Sequence, residues 1–181
     1  MNSWHNDQQE ILNLLIQQEF SALYEKYQDD EIYAVVLVLD DDALSSYMAI
    51  STKESIGNMH KGIEWEGYSW VLGFFDDNDD VGVRSFTTIM MEHYNKHILP
   101  LLPEGYDFDP ERGRNINLYV NAMKKAKQQL CLSLGSNVNN IVFYITIPGE
   151  PEIDHASAME INEPSENLNW FIKTYKYFLQ K

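Results

Sequence analysis

Two histidines, His93 and His97, have the spacing in this chain that most suggests metal chemistry. A separation of four residues places both imidazoles on one face of a helix. Zinc needs at least a third protein ligand, and the intervening Tyr94-Asn95-Lys96 lacks the glutamate that acts as general base in H-E-x-x-H helices. A metal-dependent hydrolase built on His93 and His97 would therefore also need a carboxylate that is remote in sequence. We favour a solvated helix surface, with no metal and no other cofactor.

The acidic run 76–80 invites a calcium interpretation, because Asp76, Asn78 and Asp80 have the alternating register of an EF-hand loop. The match fails at Val81, where that loop requires glycine, and at Thr87, where it requires glutamate. We expect a charged turn between a strand and a helix.

Nucleophilic and phosphate-binding chemistry has no recognisable motif here. No serine lies in a G-x-S-x-G turn, and the glycines are too dispersed for a P-loop or a dinucleotide fingerprint. The single cysteine, Cys131, lies in an apolar stretch and is expected to be a core residue. These observations favour a protein that is not an enzyme.

The net charge of −15 is unevenly distributed along the chain. Residues 1–110 carry 21 acidic and 5 basic side chains, and residues 111–181 carry 7 acidic and 8 basic ones. The negative field of the first part would repel nucleic acids and anionic membranes and would attract a basic protein. Net charge that serves only solubility is the alternative.

Aromatic residues lie next to the acidic run, and such neighbours are typical of interface anchors, although packing in the core is the alternative. The residues predicted to bind a partner are Asp40, Asp41, Asp42, Trp65, Tyr68, Trp70, Asp76, Asp77, Asp79 and Asp80.

Hydrophobic periodicity predicts the elements that position these residues. Predicted helices cover 6–28, 83–102, 115–134 and the segment after Pro164; predicted strands cover 32–39, 47–51, 68–75 and 141–147. Residues 52–67 and 150–163 are predicted as loops, the first with a short helix. The order predicts a single α+β domain over 1–181, with a mixed or antiparallel sheet of about four or more strands and helices packed on it. With no apolar run of about 20 residues and polar residues at the start, we expect a cytoplasmic protein.

Several of these features together resemble bacterial proteins of the domain-of-unknown-function family 4303. The resemblance is carried by Glu31-Ile32-Tyr33-Ala34, by Trp65, Tyr68 and Trp70, and by the strand Ile141-Val142-Phe143-Tyr144-Ile145. It implies a bacterial cytoplasmic protein and offers no established catalytic residues. Members of that family are sometimes associated with toxin and immunity loci.

The sequence thus favours an immunity-type or inhibitor protein that occludes a basic partner, such as a nuclease toxin, with an acidic and aromatic surface. A metal-dependent hydrolase using His93 and His97 is one alternative. A homo-oligomeric scaffold whose aromatic residues form the self-interface is another.

Overall fold

A three-stranded sheet forms the centre of the fold. The computed structural model describes residues 3–56, 64–70, 72–73, 82–103 and 107–178. Strand β1 (Ile32–Leu39) lies between β2 (Ser46–Thr52), which is antiparallel to it, and β3 (Val142–Thr146), which is parallel. The predicted strand over 32–39 is confirmed, and because every residue of β1 is buried it is covered on both faces.

Helices cover both faces of this sheet. The α-helices of the described residues are α1 (Ser3–Lys26), α2 (Lys53–Ile56), α3 (Phe86–His93), α4 (Asp109–Leu134), α5 (Pro151–Ile161) and α6 (Glu166–Phe178). Because successive side chains of a strand point to opposite faces, Val35 and Leu37 pack in a core with α1 and α4, whereas Val36 and Val38 pack in a second core with α6. None of the helices in the described part of the chain is long and apolar enough to cross a membrane.

Most predicted helices are confirmed. Helix α4 begins earlier than predicted, with Pro110 in its first turn, and ends at Gly135, which has a φ of +94°. The predicted helix over 83–102 is helical but divided. It consists of a 3₁₀ turn (Gly82–Ser85), α3, a π turn (Tyr94–Ile98) and a second 3₁₀ turn (Leu99–Leu101).

The prediction of about four or more strands is wrong, since the sheet of the described residues has three. The predicted strand over 68–75 is not observed as a strand in the described residues. It begins in a 3₁₀ turn (Gly67–Ser69), and Leu72 makes a single bridge to Ile50. Residues 71, 74 and 75 lie outside the described part. Trp65 and Trp70 are buried in the second core, so their part of the segment lies against one face of the sheet, and among the described residues the segment meets the free edge of β2 at Leu72.

The predicted loop over 150–163 is also wrong, since it contains α5. The signal for this helix is Pro151 at its first position with Glu152 and Asp154 in the first turn. Helix α5 lies along the free edge of β3, where Ser157 and Asn162 bond to the main chain of the strand. These side chains occupy the place of a fourth strand.

Candidate functional site

The carboxyl ends of β1 and β3 lie at the same edge of the sheet because the two strands are parallel. β1 leads into the predicted acidic turn Asp40–Asp42, and β3 leads into residues 147–150. Arg112 of α4 joins the two segments: its Nε donates to the Asp41 carbonyl and its guanidinium also bonds to the Glu150 carboxylate. Two acidic segments that are far apart in sequence are therefore neighbours.

The three aspartates of the turn differ in their surroundings. The Asp40 carboxylate accepts the backbone N–H groups of Leu44 at 2.7 Å and Ser45 at 3.1 Å, so it closes its own turn. Asp41 and Asp42 are exposed. The latter two side chains are available to a partner.

The predicted aromatic residues separate into core and surface. Trp65 and Trp70 are only 1% and 3% exposed, and both rings make edge contacts with Tyr33, at centroid distances of 5.0 and 6.2 Å. For these two tryptophans the core alternative is the one observed. Tyr68 is 43% exposed. The remaining predicted residues, Asp76, Asp77, Asp79 and Asp80, lie outside the described residues.

Gly67 allows the segment that carries Trp65 and Tyr68 to approach the sheet closely. A Cβ at this position would lie 2.7 Å from Val36 Cγ1 and 2.9 Å from Tyr144 Oη. Those distances are shorter than van der Waals contact, so any larger residue would push the segment away from the strands. The backbone itself packs on the sheet here.

A pocket opens between this segment, the end of β3, the start of α5 and α6. Its volume is about 140 Å³, and it is lined by Trp65, Glu66, Tyr68, Thr146, Ile147, Gly149, Glu150, Pro151, Asp154 and Tyr175. Pockets for drug-sized ligands and cofactors span roughly 300–1,000 Å³. The pocket therefore suits one side chain or a small ion rather than a cofactor.

Asp154 is the charged group at the inner wall of the pocket, with 5% of its surface exposed. Its Oδ2 accepts the Tyr175 hydroxyl at 2.6 Å. Its Oδ1 is buried and makes no hydrogen bond of good geometry within the described residues, although the Thr146 hydroxyl lies close enough to stabilise the charged carboxylate. The pocket thus contains a buried carboxylate with two hydroxyl neighbours and, among the described residues, no cation beside it.

Burial raises the pKa of Asp154 to about 7, because desolvation disfavours the charged carboxylate. The hydroxyls of Tyr175 and Thr146 act in the opposite direction, and the nearby Glu152 raises the pKa further. Among the described residues, none of the groups that shift this pKa is a cation. The carboxyl group is poised to exchange a proton near neutral pH or to accept a cation from outside the chain.

The carbonyl of Trp65 fixes the opposite wall. It accepts the Tyr144 hydroxyl at 2.7 Å, and the Tyr175 oxygen lies 3.1 Å away, so the single Tyr175 proton is shared between this carbonyl and the nearer Asp154 Oδ2. Burial raises the pKa of both tyrosines far above neutral pH, so both hydroxyls remain donors. The pocket is therefore bounded by a connected polar network.

The two predicted metal-site histidines lie elsewhere, on α3 and the π turn that follows it. The His93 ring stacks on Trp4 at a centroid distance of 3.6 Å, and its centroid lies 5.3 Å from that of His97. In the described part of the chain, no group of three or more His, Cys, Asp or Glu side chains is arranged to hold a metal ion. The arrangement of His93 is that of an aromatic contact between α1 and α3.

The sequence interpretation missed Asp154, Tyr175 and Thr146. Asp154 falls in the segment predicted as a loop, Thr146 in a predicted strand and Tyr175 in the helix predicted after Pro164. The Pro151 start signal places Asp154 in a first helical turn, but nothing in the sequence brings that turn to Tyr175.

Comparisons of the chain with protein-family models, with curated proteins and with solved structures found no match in any of the three. The resemblance to family 4303 remains a prediction.

Proposed function

We propose that this protein is a protein-binding module of the immunity or inhibitor type, whose partner is a basic protein such as a toxin. Its binding surface is the acidic edge, which we define as Glu66, Tyr68 and Glu150 at the pocket together with Asp41 and Asp42 in the turn that Arg112 joins to Glu150. The observation that supports the proposal is that the parallel strands β1 and β3 bring the acidic turn close to a pocket that contains a buried carboxylate with no cation beside it among the described residues.

The parts of this surface would contribute differently to binding. Exposed carboxylates at the rim chiefly accelerate encounter with a basic protein and select against acidic ones. Residues that fill a desolvated pocket supply most of the affinity in typical interfaces. Tyr68 lies at the rim and is partly exposed, so its ring offers a rigid contact between the rim carboxylates and the pocket.

Charge reversal at the acidic edge tests the proposal. The protein is used as bait in lysate of its native host, and the captured proteins are quantified for wild type and for the double variant Asp41→Lys, Asp42→Lys. We expect a basic protein to be captured by the wild type and lost with the variant.

The matched control is Glu25→Lys with Asp29→Lys, two exposed acidic residues near the end of α1 and in the turn after it. It changes the net charge equally. A partner that both variants capture as well as the wild type does, or that both lose equally, would argue against the acidic edge as the binding surface.

The scaffold alternative has a separate observation in its favour. Leu132 at the end of α4 is 88% exposed and Leu101 is 79% exposed, and both could contact a second copy of the chain. Trp65 and Trp70 are buried and could not. Light scattering across a range of protein concentrations tests this alternative, and a mass that stays at 21.1 kDa excludes it.

A further inference from the structure

We propose that the pocket binds the ammonium group of one lysine side chain of the partner, with Asp154 as its buried counter-charge. This inference rests on the proposed function, because it assigns the lysine to the basic partner. It adds a specific ligand chemistry to a surface that is otherwise defined only by its charge.

The Asp154 carboxylate has no counter-charge among the described residues that shift its pKa. Its Oδ1 is buried and makes no hydrogen bond of good geometry within the described residues, and an ionised carboxylate in such a place is costly unless a cation pairs with it. A partner's cation would meet this need from outside. Glu66 lines the same pocket and adds to the attraction, whereas Glu150, also at the pocket, is paired with Arg112.

The acceptors of the pocket suit a lysine side chain better than an arginine side chain. A guanidinium fork pairs best with both oxygens of a carboxylate, and Tyr175 already occupies Oδ2 of Asp154 at 2.6 Å. The other carboxylate oxygen, Oδ1, is the acceptor left for a partner's cation, with the Thr146 hydroxyl beside it. A compact ammonium can pair with one oxygen, whereas a guanidinium would leave most of its five donors unsatisfied in so small a pocket.

The size and lining of the pocket also fit a lysine side chain. A volume of about 140 Å³ has room for a single side chain. Pro151 offers an apolar contact to the methylene stem of a lysine, and Tyr68 at the partly exposed rim adds an aromatic surface. The charged end would then reach the inner carboxyl.

Binding of an ammonium group should be coupled to the ionisation of Asp154. The groups that face this carboxyl are Glu152 on its own helix, Tyr175 on α6, Tyr144 and Thr146 on β3, and Glu66 and Tyr68 of the segment across the sheet. Since the pKa of Asp154 is about 7 and the ammonium stays charged, affinity should fall by about tenfold per pH unit well below 7.

The test uses n-butylammonium chloride as the probe and n-butanol as its neutral control, added to isotope-labelled protein and followed by NMR. We expect the ammonium, and not the alcohol, to shift the backbone amides of residues 146–154 and to lower the pKa of the Asp154 carboxyl. The substitution Asp154→Asn should weaken ammonium binding by about tenfold, because a charge-assisted hydrogen bond is lost. Glu160→Gln, which removes an exposed charge from the far end of the same helix, should bind as the wild type does.

Three results would overturn the inference: equal shifts with butanol, an Asp154→Asn variant that binds as tightly as wild type, or tighter binding of n-butylguanidinium. If Asp154→Asn does not fold, the pKa of Asp154 in the wild type decides, because an unchanged value at saturating ammonium contradicts the proposed pairing. If the probe fails to bind while capture of a basic partner still depends on Asp41 and Asp42, the pocket inference is wrong and the proposed function stands. If the ammonium binds but the captured partner is not basic, the lysine assignment and the proposed function both fail.

Discussion

The side-chain amide of Asn162 pairs with the main chain of Phe143 as a neighbouring strand would. Its Oδ1 accepts the Phe143 N–H at 2.9 Å, and its Nδ2 donates to the Phe143 carbonyl at 2.7 Å. Two residues along β3, Ser157 Oγ lies 3.1 Å from the N–H of Ile145, whose hydrogen bond it accepts. A strand that would otherwise have a bare edge is thereby closed by a helix.

Replacement of Asn162 by leucine should destabilise the protein by about 2–6 kcal/mol. The buried N–H and carbonyl groups of Phe143 lose their hydrogen-bond partner, at a cost of roughly 1–3 kcal/mol each. Lys127 also loses one acceptor, since its Nζ lies 2.6 Å from Asn162 Oδ1. Urea unfolding gives the free-energy change. Asn169→Ala, at an exposed position of α6, is the control and should change stability by less than about 0.5 kcal/mol. Equal stability of the two variants would mean that the edge of β3 does not depend on Asn162.

Gly67→Ala should lower stability by about 1–3 kcal/mol and weaken binding of n-butylammonium. The added Cβ would overlap Val36 and Tyr144 and push Trp65 and Tyr68 from the pocket. Thermal unfolding and the NMR titration measure the two effects.

Gly113→Ala is the matched control for this substitution, since a Cβ at this position of α4 has open space around it. It should stabilise the protein by about 0.4–1 kcal/mol, because alanine has less freedom in the unfolded chain. A Gly67→Ala variant that is also stabilised would show that the close approach at position 67 is unimportant.

Glu19→Gln should remove part of the pH dependence of stability. Glu19 is buried and accepts the Val83 N–H at 2.7 Å, and burial raises its pKa to about 7 from a model-peptide value of 4.5. A raised pKa means that the folded state holds the proton more tightly, so stability is greatest below pH 4.5 and is lost as the pH rises through 7. At pH 8 the glutamine variant should be more stable than wild type by about 1–3 kcal/mol.

Urea unfolding at pH 4.5 and pH 8 measures this difference, and Glu25→Gln, at an exposed position on the same helix, is the control. A wild-type protein and a Glu19→Gln variant with parallel pH profiles would contradict the buried, proton-binding role of Glu19.

Tyr175→Phe should raise the pKa of Asp154 above about 7, since the Tyr175 hydroxyl donates to the carboxylate and stabilises its charged form. Carbon-detected NMR titration of the Asp154 carboxyl measures the change. Tyr24→Phe, on α1, serves as a control that should leave this pKa unaltered. A lower pKa in Tyr175→Phe would mean that the hydroxyl does not donate to Asp154.

The sequence determined the elements whose residues carry a strong local pattern. The β-branched run of β1 and the apolar period of α1 predicted their elements, and Gly135 marked the end of α4. α5 was missed because its buried residues are few, and residues 68–70 were assigned to a strand because aromatic side chains are frequent both in strands and in a core. Local pattern reports burial more faithfully than it reports which neighbour provides that burial.

The tertiary structure alone decided the candidate site. The acidic turn Asp40–Asp42 was visible as a surface feature, but its approach to Glu150 depends on the parallel pairing of β1 with β3 across more than a hundred residues of chain. The contact of Asp154 with Tyr175 likewise joins two helices that no local spacing relates. Sequence fixes the charge and the polarity of each segment, whereas the partners of a buried group depend on long-range packing, and here that packing leaves the Asp154 carboxylate without a cation beside it among the described residues.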